Sequence, residues 1–182
     1  MASRRLTIVM DPLVQFTQAQ RVAYNGLATE LHSAQQAGAT AAAPITALLA
    51  EVRKAAAKID STPALADSVK TQFASFRKDF DAVRAKLGAG APAVVVGPGG
   101  AGGGAGAGFG ANDANVLARL SAVKSGMLGV WETPSESVQQ QAATAKAAVE
   151  AAVAESKAFM VRAKAMSALL AASGITLTVP PN

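Results

Sequence analysis

The sequence contains no cysteine and a single histidine, His32, in 182 residues. Without cysteine there are no disulfides and no thiolate metal sites, and one histidine cannot build a multi-histidine site. Aromatic residues make up only 4% of the chain and charged residues only 16%, with Trp131 and Tyr24 the sole members of their types. Long apolar runs are missing too. A spanning helix needs roughly 20 mostly apolar residues, and charges or glycine interrupt every candidate before that. The mean hydropathy of +0.26 therefore comes from dispersed Ala, Val and Leu, alanine alone filling about a quarter of the positions. Arg4-Arg5 followed by Leu6–Met10 imitates the first half of an export signal, but the apolar run is short and no cleavage region follows. Neither a signal peptide nor a membrane span is expected.

Seventeen Lys and Arg against twelve Asp and Glu give a net charge of +5 and a pI near 9.8. Such a balance raises the prior for anionic partners. Lys70, Arg77 and Arg84, spaced by seven, would line one helix face as a track for phosphates. However, Asp67 and Asp81 stand three and four residues from Lys70 and Arg77, within pairing distance on a helix. The aromatics that could stack on bases lie on the opposite, apolar side. A solvated face is expected, and no nucleic acid.

What the chain has in abundance is helical periodicity. Val69, Phe73, Phe76, Phe80, Val83 and Leu87 recur at spacings of four and three, a seam on one helix face. Thr62 and Pro63 suggest the start of that helix and Gly88 its end. A second seam runs from Val138 through Ala142, Ala145, Val149, Ala152, Ser156, Phe159, Ala163 and Met166 to Leu170. Thr133-Pro134-Ser135-Glu136 has the pattern of a capping box at its head, and Gly174 is a stop. Three shorter signals cover Phe16 to Ala37, stopped at Gly38, then Pro44 to Ile59, and Asp113 to Leu128, capped by Asn112 or Asp113. Each has one apolar face and cannot stand alone in water. The fold class expected is mainly α, an antiparallel bundle of four to five helices with short terminal β-strands.

Those strands are Leu6–Met10 and Ile175–Val179, both β-branched and both ended by proline. They would pair with each other, or the first would belong to a sheet outside this chain. Leu6, Ile8, Met10, Ile175, Leu177 and Val179 are thus the candidate partner-strand contacts. The organisation expected is an N-terminal strand over 1–11 and one helical domain over 12–182. A Gly-rich loop at 88–112, holding eleven of the 16 glycines, interrupts that domain and should be flexible.

No constellation points to catalysis. Gly97-Pro98-Gly99-Gly100-Ala101-Gly102 after Val94-Val95-Val96 matches G-x-G-x-x-G, but more glycine follows where a helix would have to open onto a pyrophosphate. Asp79 and Asp81 lie about 200° apart around a helix and cannot act as one acid–base pair. His32 has no evident nucleophile or second ligand beside it. Trp131, just before the Thr133 cap, would plug the end of the bundle. No enzyme activity, cofactor, metal or small-molecule ligand is expected.

The stretch Leu6-Thr7-Ile8-Val9-Met10-Asp11-Pro12-Leu13-Val14 resembles the junction found late in sortilin-like, Asp-box (BNR-repeat) β-propeller proteins classed with glycosyl hydrolases. In these, a β-sandwich strand ends in a pattern like L-T-V-x-x-D-P-R-V and an α-helical C-terminal domain follows. Leu13 stands where the family usually has Arg. Leu117-Ala118-Arg119-Leu120, Thr133-Pro134 and the ending Leu169-Leu170-Ala171-Ala172-Ser173-Gly174-Ile175 are also similar to that domain. The resemblance implies that Leu6–Met10 is the last strand of a sandwich, that the propeller and its activity lie outside this chain, and that the home is extracytoplasmic. The functional expectation is a non-enzymatic scaffold or docking subunit, with a protein partner or a second copy. The alternative is a phasin-like amphipathic protein coating lipid or polymer granules.

Overall fold

The computed structural model describes residues 17–90, 114–130 and 132–181. They form four helices: α1 (Gln18–Asp60), α2 (Asp67–Leu87), α3 (Val116–Leu128) and α4 (Glu136–Ala171). At 1.5 Å per residue, α1 and α4 are about 64 and 54 Å long. The expected N-terminal strand and most of the Gly-rich segment lie outside the described residues, as does Trp131.

The contacts arrange these helices as three columns. Tyr24 donates to the Met127 carbonyl (3.2 Å) and Lys124 reaches Gln35 (3.0 Å), so α3 runs antiparallel to α1. Lys146 meets Glu30 and Ser156 meets the Ala41 carbonyl, an almost constant offset that makes α4 parallel to α1. Lys86–Glu155 and Arg162–Asp79 set α2 antiparallel to α4. Helices α2 and α3 share the second column, one after the other. The join is visible at Gly88, where an added Cβ would collide with the Asn115 side chain. The chain thus leaves this column at Gly90 and re-enters it beside the same point, so residues 91–113 are an insertion into one column.

Helix α1 corrects the sequence reading. Two helices were expected, broken between Gly38 and Pro44; one 43-residue helix is found with Pro44 inside it. Gly38 is not a stop but a notch. An added Cβ would run into Leu117 Cδ2 and sit 3.2 Å from Val149 Cγ1, so the missing side chain lets α3 and α4 approach. Proline removes one N–H from the helical ladder and crowds the preceding turn. In that turn the Ala41 carbonyl accepts from the Ser156 hydroxyl at 3.3 Å. This bond also accounts for Ser156, 2% exposed and the buried polar side chain of the core, since a buried hydroxyl needs a partner.

The helix ends are set by local chemistry. Thr17 and Gln20 form a reciprocal capping box at α1. Asn115 accepts from Ala118 N–H at α3, and Ser135 from Val138 N–H at α4. The α4 cap is therefore Ser135, with Thr133 and Pro134 outside the helix. Helix α2 begins at Asp67, four residues later than Thr62-Pro63 suggested; the residues between form a turn, and Ala66 at the cap position supplies no side-chain bond. Two glycines at positive φ, Gly88 (61°) and Gly174 (73°), end α2 and α4 in the same way. In each, a 6→1 bond closes the turn, Ala89 N–H to Arg84 and Ile175 N–H to Leu170, the Schellman pattern that favours glycine.

One core runs the length of the bundle. Phe159, fully buried, takes Phe76 at 5.0 Å and Phe80 at 5.7 Å between ring centroids. At the other end the seam of α4 thins to Ala142 and Ala145. Residues Ile175–Val179 are extended but make no strand pairing, a second correction. Ile175 and Leu177 are buried and Val179 packs against them. The tail is pinned by the Ser167 hydroxyl donating to the Leu177 carbonyl at 2.6 Å. Its alternation therefore serves packing onto helices and not a sheet.

Candidate protein-docking site

Of the six contact residues expected from sequence, Leu6, Ile8 and Met10 lie outside the described residues. Ile175, Leu177 and Val179 are occupied within this chain, as just described, and a partner would have to lift the tail to reach them. Thr178 helps to hold the tail: with Lys54 it keeps the Glu51 carboxyl below its ordinary value, the Lys54 hydrogen bond (2.7 Å) being the larger cause.

A different surface stands open. Helices α3 and α4 line a trough of about 630 Å³ whose walls include Ala122, Val123, Met127, Val138 and Ala145. Polar groups line it as well, among them Arg119, Gln141 and Thr144. Just beyond the end of α3, Leu128 and Val130 are 46% and 52% exposed. Val22, 66% exposed, lies at the same end of the bundle on α1, one turn from the Tyr24–Met127 contact. Three of the four exposed large apolar side chains thus gather at one end; Val161 on α4 is the other. An apolar surface of this kind is more often an interaction site than an accident of composition. Sequence periodicity missed it because Val123 and Val138 read as ordinary seam residues. In the fold they are only half covered.

The α1–α4 side carries a second groove. Its lower half is filled by the tail, which ends with Pro181 against Ala37, Ala41 and Val153. Beyond that point the groove continues past Leu27, Leu31, Ala142 and Ala143. The Lys146–Glu30 ion pair (2.9 Å) bridges it, and Glu30, aided by Glu150, raises the Lys146 pKa.

Two of the three cations of the basic stripe make local ion pairs. Lys70 meets Asp67 at 3.4 Å, and Asp81 meets Arg84 at 3.3 Å where the sequence suggested Arg77. Asp79 turns to Arg162 at 2.8 Å, so Asp79 and Asp81 point to different partners. The Nδ1 of His32 faces the Lys124 ammonium at 3.2 Å, a cation where a catalytic histidine would need a hydroxyl or carboxylate. Among the described residues no cluster of three His, Asp or Glu could hold a metal ion, and no helix is long and apolar enough to cross a membrane. No protein family, curated protein or solved structure matches the chain, so the propeller-protein resemblance rests on its own motifs.

Proposed function

We propose that the chain is a non-enzymatic helical scaffold that docks another protein through the α3–α4 trough, as a subunit of a larger assembly. The observation that carries this reading is the apolar trough with Leu128, Val130 and Val22 around its end. The long α1 and α4 columns act as the rigid spine, and the trough lies where α3 falls short of filling the space beside them. Its mixture of apolar and uncharged polar side chains suits a protein interface. By resemblance, the home of the assembly is extracytoplasmic.

The granule-coating alternative requires the seams to open and present their faces to lipid. Here Phe76, Phe80, Phe159 and Leu170 are already closed into a core, which supports docking over coating. The test is the native size of the protein in extracts of its source, compared with Val123→Asp and Val138→Asp variants. Docking requires the native protein to run well above 18.2 kDa and each variant to fall toward that mass with its helicity intact. Wild type running as a free 18.2 kDa monomer, or floating with lipid vesicles, would refute it.

A further inference from the structure

Granted the docking role proposed for the α3–α4 trough, we infer that its occupant is a second copy of this chain, related to the first by a two-fold axis. Charge placement carries the inference. Among the described residues that line the trough, Arg119 is the charged one. Glu136 opens α4 on the ridge that continues, four and eight residues on, through Gln140 and Thr144, and both of those line the trough. Arg119 and Glu136 are exposed, and among the described residues neither has an ion-pair partner within its own chain.

The two charges mark opposite ends of the trough. A Cβ added at Gly38 would meet both Leu117 and Val149, which puts those two residues at one level of the bundle. Helices α3 and α4 run antiparallel, so Arg119 is level with about position 147 of α4. Glu136 lies about 11 residues from there, or about 16 Å along the trough. Near the midpoint stand Val123 on α3 and Gln141 on α4. In a two-fold interface, residue i of one copy meets j of the other and j meets i. An axis through that midpoint, at right angles to the line from Arg119 to Glu136, carries Arg119 of each copy onto the partner's Glu136. Val123 then lies near the axis, with Ala122 and Gly126 beside it leaving room for close approach. An axis along the line would set Arg119 on Arg119 and Glu136 on Glu136, so charge selects the first arrangement. The trough calls for an apolar occupant with an anion at one end and a cation at the other, and its own surface is one. The contact is short, about two helical turns of each helix, extended by Leu128 and Val130 at the Glu136 end. A reversible, concentration-dependent dimer follows.

Sedimentation equilibrium of the purified full chain is the test. The wild-type mass should rise with concentration from 18.2 kDa toward twice that value. Arg119→Glu and Glu136→Arg should each weaken the dimer about tenfold, because each sets like charges together at two places. Mixed in equal amounts, the two variants should associate at least as well as wild type, since every contact between positions 119 and 136 in the mixed dimer joins opposite charges. A helix merely weakened by either substitution would show no such recovery. A mixture no better than its separate components, or a wild-type chain that stays at 18.2 kDa at every concentration, overturns the second copy as occupant. The docking reading is judged apart from this: a native form in extracts that still runs large and shrinks with Val123→Asp keeps the trough as a dock for a different protein, and a native form at 18.2 kDa removes both.

Discussion

Gly26 and Gly38 stand in the same helix, twelve residues apart, and differ only in what surrounds them. A Cβ added at Gly26 meets nothing within 4 Å, whereas one added at Gly38 runs into Leu117 Cδ2 and sits 3.2 Å from Val149 Cγ1. Replacing helical glycine by alanine gains about 0.8–1 kcal/mol from reduced backbone freedom. Gly26→Ala should keep all of it. At Gly38 the same gain opposes overpacking, which costs about 1–3 kcal/mol. Leu117 is half-buried and can swing outward, but Val149 is 1% exposed and cannot. The expected net is a loss of about 1 kcal/mol, so the two variants should differ by about 2 kcal/mol. For a chain of this size that is roughly 4–8 °C in Tm. Urea unfolding of both variants at constant m-value measures it. Leu117→Ala should cost less in the Gly38→Ala background than in wild type, because the truncation removes the clash; that coupling isolates the contact. Equal stabilisation by the two alanines would refute the close approach of α3 to α1, and with it the reading of Gly38 as a notch.

Phe159→Ala removes the ring that stacks on Phe76 and Phe80 and carries Arg162 over its face at 5.4 Å; a fully buried Phe lost to Ala costs about 3–5 kcal/mol, measurable by urea unfolding. Leu177→Ser should release the tail, seen as faster proteolysis of the last residues while the helical signal is kept. Tail docking should also depend on acid. The Glu51 carboxyl is held below its ordinary value by Lys54 and Thr178, so this contribution is present above about pH 4.5 and is lost as pH falls through the lowered value. The protection of amides near Thr178, taken relative to the intrinsic exchange rate at each pH, should fall in wild type between pH 6 and 3 and already be low at pH 6 in Glu51→Gln.

Much of the fold is legible in the sequence because burial follows the three–four rule. All six seam residues from Val69 to Leu87 are buried in α2, and the α4 seam is buried from Ala142 to Ala163. Single residues mislead where they conflict with that pattern. Leu31, Ala34, Gly38, Ile45, Leu48 and Val52 are all buried on one face of α1, and their spacing, completed by Ala41 or Ala42, never breaks at Gly38 or Pro44. That continuity was available in the sequence. Glycine there means close approach, and proline removes a single N–H without ending the helix. The tail failed for the opposite reason. Alternation reports one buried face but not whether helices or strands bury it. The trough was not legible at all, since it depends on how α3 and α4 pack in three dimensions and not on any residue's pattern.

The junction between α2 and α3 is defined by its own local signals. Gly88 ends α2 and the Asn115 side chain lies against it, while Asn115 caps α3 through Ala118 N–H at 3.0 Å. The second column is thus built as one antiparallel rod whose halves carry their own stop and start signals. Neither half needs residues 91–113 to define its end. Replacing those 23 residues with three glycines shortens the loop closed on folding. By the logarithmic dependence of closure entropy this is worth about 1.8 kcal/mol in favour of the folded state. If the segment contributes no packing, the shortened chain should melt higher by a few degrees and keep the Tyr24–Met127 and Lys124–Gln35 register that fixes α3 on α1. If α2 and α3 instead require a longer path between them, the shortened chain loses that register, and exchange across Val116–Leu128 rises ahead of α2 and α4. Hydrogen exchange resolved by helix therefore decides whether the column is one rod with an insertion or two helices held apart.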